Sequence, residues 1–295
     1  MAEGRAQNTE HRVAACPTAR LEKLLLSTDG SEFSEGAIRE AINLAKRCSS
    51  KLLVVSIIEM DPELEALAPD LVEKFERETR RHLESVKERV AKEGVDCEII
   101  VHEGEEPYQY IVDEADKQQV EMIVMGRRGR TGLKRLMMGS VTARVIGHAT
   151  RNILVVPRAA HITWKSIVIA TDGSKYSEAA AKEALSLAKT TCANLYAIAV
   201  TRPDAVPERI KLSEDALRDI KISAEKEGIK IAISLVKEKP HESIHESIIE
   251  YAKEKNADII VMGSHGRTGI SRLLMGSVTE RVIGHAECAV LVVKV

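Results

Sequence analysis

Short, almost wholly apolar runs alternate along this chain with longer stretches in which apolar residues recur every third or fourth position among charges. The apolar runs near 22–28, 52–58, 97–101, 121–125 and 152–156 have the length and β-branched content of strands buried on both faces. The intervening stretches near 34–48, 66–93, 107–118 and 139–148 carry the helical period. Strands separated by helices run parallel, and right-handed crossovers place the helices on both faces of an open sheet. The same alternation then begins again, with strands predicted near 165–171, 194–200, 229–236, 258–262 and 289–294.

The second round is a copy of the first. MGRRGRTGLKRLMMGSVTARVIGHA (125–149) recurs as MGSHGRTGISRLLMGSVTERVIGHA (262–286), nineteen of twenty-five positions being identical. LLLSTDGSEFSEGAIREAINLAK (24–46) is echoed by IVIATDGSKYSEAAAKEALSLAK (167–189), so the likeness spans each half and marks a duplication. Asp29 and Asp172 stand 143 positions apart but Gly126 and Gly263 only 137, which makes the middle of the second copy six residues shorter. The organisation expected is a flexible extension over 1–20, a first domain over 21–158 and a second over 162–295, joined at PRAAHIT (157–163). So short a tether favours a pseudo-symmetric pair, one copy packed on the other like the subunits of a two-fold dimer.

Composition narrows the range of functions. The chain is 44% hydrophobic and 30% charged, as globular domains are, but only 3% aromatic, so no platform for stacking bases is visible. A net charge of -2 provides no field for a polyanion or an acidic membrane, and any anion site must be local. Neither nucleic acid nor membrane is expected as a partner. Cys16, Cys48, Cys97, Cys192 and Cys288 are odd in number, scattered and without a C-x-x-C pair, which points to reduced thiols, no metal framework and a cytoplasmic protein. The first twenty residues hold no apolar run long enough for the core of a signal peptide.

In an open parallel sheet a ligand sits beyond the carboxyl ends of the strands, where strand order reverses. Two loops compete for that place. One follows the first strand, at Ser27, Thr28, Asp29 and Gly30, and in the second copy at Ala170, Thr171, Asp172 and Gly173. The other follows the fourth strand, at Met125, Gly126, Arg127, Arg128 and Gly129, and at Met262, Gly263, Ser264, His265 and Gly266. The latter opens a G-x2-G-x9-G-S pattern completed by Gly139 and Ser140, and again by Gly276 and Ser277. Glycines there let a ligand approach bare backbone. The helix starting at Ser140 or Ser277 turns the unpaired amides of its first turn, over Val141 and Thr142 or Val278 and Thr279, and its dipole's positive end toward an anion. The hydroxyls of Ser140, Ser277, Thr142 and Thr279 are candidate donors to phosphate.

This pattern, after the fourth strand of a five-stranded domain whose first strand ends in Thr-Asp, resembles the ATP-binding branch of the universal stress protein family, over residues 20–295. The resemblance implies two tandem open five-stranded sheets of order 3-2-1-4-5, an adenine nucleotide alpha hydrolase-like fold, and ATP or AMP as ligand, with Mg2+ accompanying ATP. It implies that Gly126, Gly129, Gly139 and Ser140 hold ribose and phosphates, that Asp29 lies by the ribose and that backbone near Ile57 receives adenine. The second set is Gly263, Gly266, Gly276, Ser277, Asp172 and Val200. It also implies pairing through the last strand of each domain, within the chain or in a homodimer. The second copy reads Gly-Ser-His-Gly, the commoner family form, whereas Arg127 and Arg128 in the first add charge at the expected pocket edge.

Plainer readings stand beside these. Asp-Gly after a strand is an ordinary turn and Gly-Ser an ordinary helix start, but neither explains the paired glycines at fixed spacing upstream. Arg127, Arg128, Arg130, Lys134 and Arg135 read as a solvated rim, since the second copy has only Arg267, Arg272 and His265 there. His148 and His285 read as dipole partners at a helix end, and Met137, Met138 and Met275 as core filler. No Walker G-x-x-x-x-G-K-[ST] occurs and no catalytic residue is assigned. The expectation is a nucleotide-binding stress or regulatory protein, with at most slow hydrolysis. An adenylating ATP pyrophosphatase-like enzyme and an interaction scaffold with vestigial sites are the alternatives.

Overall fold

The computed structural model describes residues 16–18, 21–59, 67–129, 138–239, 241–267 and 275–295. The first half runs β1 (Lys23–Ser27), α1 (Glu35–Cys48), β2 (Lys51–Glu59), α2 (Pro69–Lys92), β3 (Cys97–Gly104), α3 (Pro107–Lys117), β4 (Met122–Gly126), α4 (Ser140–His148) and β5 (Asn152–Val156). The second runs β6 (Ser166–Ala170), α5 (Lys175–Thr191), β7 (Asn194–Thr201), α6 (Pro207–Lys226), β8 (Ile231–Lys237), α7 (Ile244–Glu254), β9 (Ile259–Gly263), α8 (Ser277–His285) and β10 (Ala289–Val293). Every predicted strand and helix is present, with ends shifted by at most a few residues.

Three helices open on proline at their first position, Pro69, Pro107 and Pro207, where the missing N–H costs no hydrogen bond. Helix α7 instead opens with a capping box, Ser243 and Glu246 exchanging hydrogen bonds. Helices α1 and α5 end on Ser49 and Cys192 with φ of 55° and 56°, the left-handed turn that lets the chain enter the next strand.

The strand order is β3-β2-β1-β4-β5-β10-β9-β6-β7-β8. Each half has the expected 3-2-1-4-5 arrangement, but the two halves do not form separate sheets. Strands β5 and β10 pair antiparallel, with Leu291 opposite Leu154, Val290 opposite Val155 and Val292 opposite Ile153, and they fuse the halves into one ten-stranded sheet. All the other pairings are parallel. The reason for the fusion is that β5 and β10 are apolar on both faces, and an uncovered edge of that kind would leave its backbone groups and side chains unpartnered.

Alternation along the strands separates two cores. Leu24 and Leu26 of β1 face α1 and α2, with Ile38, Leu83 and Val86, and this layer continues into the second half beneath α5 and α6. Leu25, Leu53 and Ile123 face α3 and α4, with Ile111, Val145 and Ile146, and continue under α7 and α8. The link between halves, 157–165, lies over α1. There Arg39 donates to the carbonyls of Arg158 and Ala160, and Gly36 leaves no room for a side chain beneath Pro157.

One cysteine expectation is corrected. Cys16 and Cys48 form a disulfide that fastens the described part of the N-terminal segment to the end of α1, and the Thr190 hydroxyl donates to the Pro17 carbonyl beside it. The partners are 32 residues apart, a proximity that only the fold reveals. Cys97, Cys192 and Cys288 are free thiols. Among the described residues, no helix is long and apolar enough to cross a membrane.

Candidate functional site

Strand order reverses between β1 and β4, and again between β6 and β9, and each pair is directly hydrogen-bonded. The loops that follow these strands therefore start side by side in each half, at the place where a ligand sits in such sheets. In the second half this place is a cavity of about 600 Å3, well within the range that holds small ligands. All twelve residues expected there line it. Ala170, Thr171 and Asp172 come from the end of β6 and the turn after it, Val200 from β7, and Met262, Gly263, His265 and Gly266 from the end of β9 and its loop. Gly276, Ser277, Val278 and Thr279 come from the start of α8.

Gly263, Gly266 and Gly276 contribute only backbone to the lining of this cavity. Gly276 is the N-cap of α8 and has no side chain to receive the first amides, so those N–H groups face outward. Its own N–H donates to the Ser264 carbonyl at 2.9 Å, folding the glycine loop over the helix start. A Cβ on Gly276 would lie 3.3 Å from His265 Cα, and one on Gly266 would lie 2.7 Å from Asp172 Oδ2. Glycine at both positions is what lets the two loops come this close.

Asp172 is itself held. Its Oδ1 accepts from Ser174 N at 3.0 Å and its Oδ2 from Arg267 N at 2.8 Å, while the Arg267 guanidinium donates to the Asp172 carbonyl and to Ser213 Oγ. The carboxylate thus arrives oriented, with arginine charge beside it. His265 packs against Tyr176 with ring centroids 5.2 Å apart and shares a 3.1 Å hydrogen bond with Ser264 Oγ.

Sequence reasoning missed several walls of the cavity. Ile198 and Thr201 of β7, Ile244 and Ile248 of α7, and Arg202 and Arg209 before and within α6 all line it. Ile198 was within reach of the period-2 rule from Val200, and Ile244 with Ile248 forms an i, i+4 pair. Arg202 and Arg209 carry no such signal, because they belong to the shortened middle of the second copy. They bring positive charge to the lining, beside Asp204.

The first half repeats the frame. Ser27 ends β1, Thr28 and Asp29 follow it, Ile57 lies in β2, Met125 and Gly126 end β4, and Arg128 and Gly129 continue into the loop. Gly139 caps α4, whose first turn is Ser140, Val141 and Thr142, and its N–H donates to the Arg127 carbonyl at 2.9 Å. A Cβ on Gly129 would lie 2.7 Å from Asp29 Oδ2, as in the other half. Asp29 Oδ1 accepts from Ser31 N and Oγ. Arg128 takes the place of His265, and its buried Nε has no hydrogen-bond partner among the described residues. Thr28 bonds Ser34 and His82, the latter from α2, where the second half has Ala216 against Gly173. Arg130, Lys134, Arg135, Met137 and Arg272 lie outside the described residues.

Two expectations change. The hydroxyls of Thr142 and Thr279 are buried and donate to the carbonyls of Gly126 at 3.0 Å and Gly263 at 2.9 Å. They brace the glycine loop and are not available to a phosphate, since a buried hydroxyl on the inner side of a helix meets the nearest carbonyl first. Arg127 does not stand at the pocket edge, because its guanidinium crosses to the second half and donates to the Ala286 carbonyl at 2.9 Å. His148 and His285 behave as dipole partners, each ring Nδ1 lying 2.7–2.8 Å from the carbonyl four residues earlier. Met138 and Met275 are buried in the core.

Known proteins resemble this chain in sequence and in fold. Residues 21–157 and 163–294 each match the profile of the Universal stress protein family. A universal stress protein of Mycolicibacterium smegmatis is 25% identical over 303 residues, covering 92% of this chain and 96% of its own length. Universal stress protein MJ0531 of Methanocaldococcus jannaschii is 42% identical over 144 residues, 44% of this chain and 82% of its own. In fold, the crystal structure of a universal stress protein from Archaeoglobus fulgidus superposes with a TM-score of 0.74 at 24% identity, over 92% of this chain and 96% of that one.

Proposed function

Because the chain belongs to the universal stress protein family, with the family domain present twice, we propose that it binds an adenine nucleotide, ATP or AMP, in each half and acts as a stress-response or regulatory protein in the cytoplasm. One observation carries this reading. Segments up to 109 positions apart, from Ala170 at the end of β6 through β7 and the β9 loop to Thr279 at the start of α8, all line one cavity of about 600 Å3. A mononucleotide fits that volume. The amides of the first turn of α8 and of the glycine loop receive phosphate, Asp172 accepts from ribose hydroxyls, and the β7 wall at Ile198 and Val200 supplies apolar contact for the base. Gly126, Gly129, Gly139, Ser140, Asp29 and Ile57 do the same in the first half. Mg2+ would come with ATP, because no cluster of three or more His, Cys, Asp or Glu among the described residues is placed to hold it.

Binding without fast turnover follows from the same residues. Among the described residues no lysine lines the second cavity, and the oriented carboxylate, Asp172, is taken up by Ser174, Arg267 and, in this reading, the ribose. The occupied loop after β4 or β9 is then the surface that a partner reads.

The test is to denature freshly purified protein and identify the released small molecules by ion-exchange chromatography, then add ATP or AMP to stripped protein and follow its melting. Released adenine nucleotide, or stabilisation of about 2.7 kcal/mol at a hundredfold excess over Kd, is expected. Absence of both at millimolar nucleotide leaves the scaffold reading in possession. Release of pyrophosphate with a carboxylate co-substrate favours the adenylating enzyme.

A further inference from the structure

The two seats are joined by a side chain that belongs to neither. Arg127 sits between Gly126 and Arg128 in the first glycine loop, and its carbonyl accepts the Gly139 N–H that closes this loop on the start of α4. Its side chain leaves the first half altogether, and Nη1 donates to the carbonyl of Ala286 at 2.9 Å. Ala286 is the C-cap of α8, the helix whose N-terminus, Gly276 and Ser277, forms the second seat. A single nine-residue helix, about 13 Å long, therefore runs from the Arg127 guanidinium to the phosphate position of the other half.

The contact is built into the seam between halves. Arg127 is half-buried, and burial, aided by the neighbouring Arg128 charge, lowers its pKa below the ordinary guanidinium value. A cation at a helix C-terminus satisfies an orphan carbonyl and complements the dipole. Across the seam Lys294, after β10, does the same for α4, with Nζ donating to the Ile146 carbonyl at 2.6 Å and its backbone N–H to Asn152 Oδ1. The two clamps are not copies of one another. By the repeat, Arg127 corresponds to Ser264 and Lys294 to Pro157. Only the Arg127 clamp originates in a glycine loop, so only this one ties one seat directly to the helix of the other.

We infer that Arg127 is a positioning residue that couples the two seats, such that filling the first tightens the second. This rests on the nucleotide reading given above. A phosphate bound by the first loop immobilises Gly126 to Gly129, which holds the guanidinium on Ala286 and suppresses fraying of α8. The second nucleotide then meets a helix start already ordered, and the ordering cost is not incurred again. Linkage makes the effect reciprocal for binding.

Calorimetric titration of nucleotide-stripped full-length chain with ATP tests it. Ser140→Asp and Ser277→Asp each place a carboxylate in one seat, where a helix start tolerates it and a phosphate does not. The second seat should bind ATP at least about fivefold more tightly in the unmodified chain with the first seat filled than in Ser140→Asp, the lower end of usual coupling. Arg127→Ser, the residue of the second copy, should abolish that difference, and Arg127→Lys should restore part of it. Equal affinities in the two backgrounds, or a difference that survives Arg127→Ser, overturn the coupling. If neither single-seat variant binds ATP, it is the nucleotide reading that falls. The clamp is then judged by amide hydrogen exchange alone, where Arg127→Ser should hasten exchange at 277–279 as well as at 283–286. Acceleration confined to 283–286 overturns it.

Discussion

Gly266 and Thr279 shape the second cavity, one by what it leaves out and the other by what it braces. Gly266 matters for what it lacks, since a methyl group would press on Asp172 Oδ2 at 2.7 Å and break the hydrogen bond that this oxygen accepts from Arg267 N. Gly266→Ala is expected to weaken ATP binding at the second seat about tenfold, a loss of roughly 1.4 kcal/mol, while leaving the urea midpoint almost unmoved. Calorimetry of this variant beside the parent checks it, and unchanged affinity would remove Asp172 from the site. Thr279 matters for the bond it makes inside. Thr279→Val keeps the shape but strands the buried Gly263 carbonyl, and should cost about 1–3 kcal/mol in chemical denaturation. The glycines were legible in the sequence because paired glycines at a fixed distance from a helix start serve mainly to bring backbone close to something else. The threonines were not, because a hydroxyl near a helix start looks the same from sequence whether it faces out to a ligand or in to a carbonyl.

At the scale of elements the alternation of apolar runs and helical stretches was enough, and each predicted strand and helix has its counterpart. What the pattern could not show were tertiary pairings between distant residues. The Cys16–Cys48 disulfide is one, ordinary spacing rules having pointed to free thiols. It closes a loop of about thirty residues, for which the chain-entropy estimate is about 3–4 kcal/mol. Cys48→Ser, or a reductant, is therefore expected to lower the melting temperature and free the segment at 16–18. Identical melting curves with and without reductant would show that the bridge contributes nothing. The walls of the second cavity supplied by Arg202, in the shortened β7–α6 connection, and Arg209, near the start of α6, are another such case.

For the whole molecule, the family resemblance anticipated pairing through the last strand of each half, as observed, but not that the pairing merges two sheets into one. The repeat showed two domains and a short tether, and packing of one on the other followed. That packing is edge to edge, through β5 and β10, so each half completes the other's sheet. The last strand of each half is thereby already occupied, and the same edge should reappear when a half is isolated. A fragment covering 163–295 is expected to self-associate through β10 and to have twice its formula mass by light scattering. Leu291→Lys, which puts a charge at a fully buried position in that pairing, should prevent it. A monomeric, stable fragment with an unpaired β10 would count against the reading of the seam. The fused sheet also sets the two halves side by side, which lets Arg127 reach from the first glycine loop to the end of α8. Central to all of this is the presence of two such seats. The most direct measurement is the stoichiometry of ATP or AMP binding to nucleotide-free protein. Two per chain are predicted, falling to one in Ser140→Asp, one in Ser277→Asp and none in the double variant. A stoichiometry that these substitutions leave unchanged would contradict it.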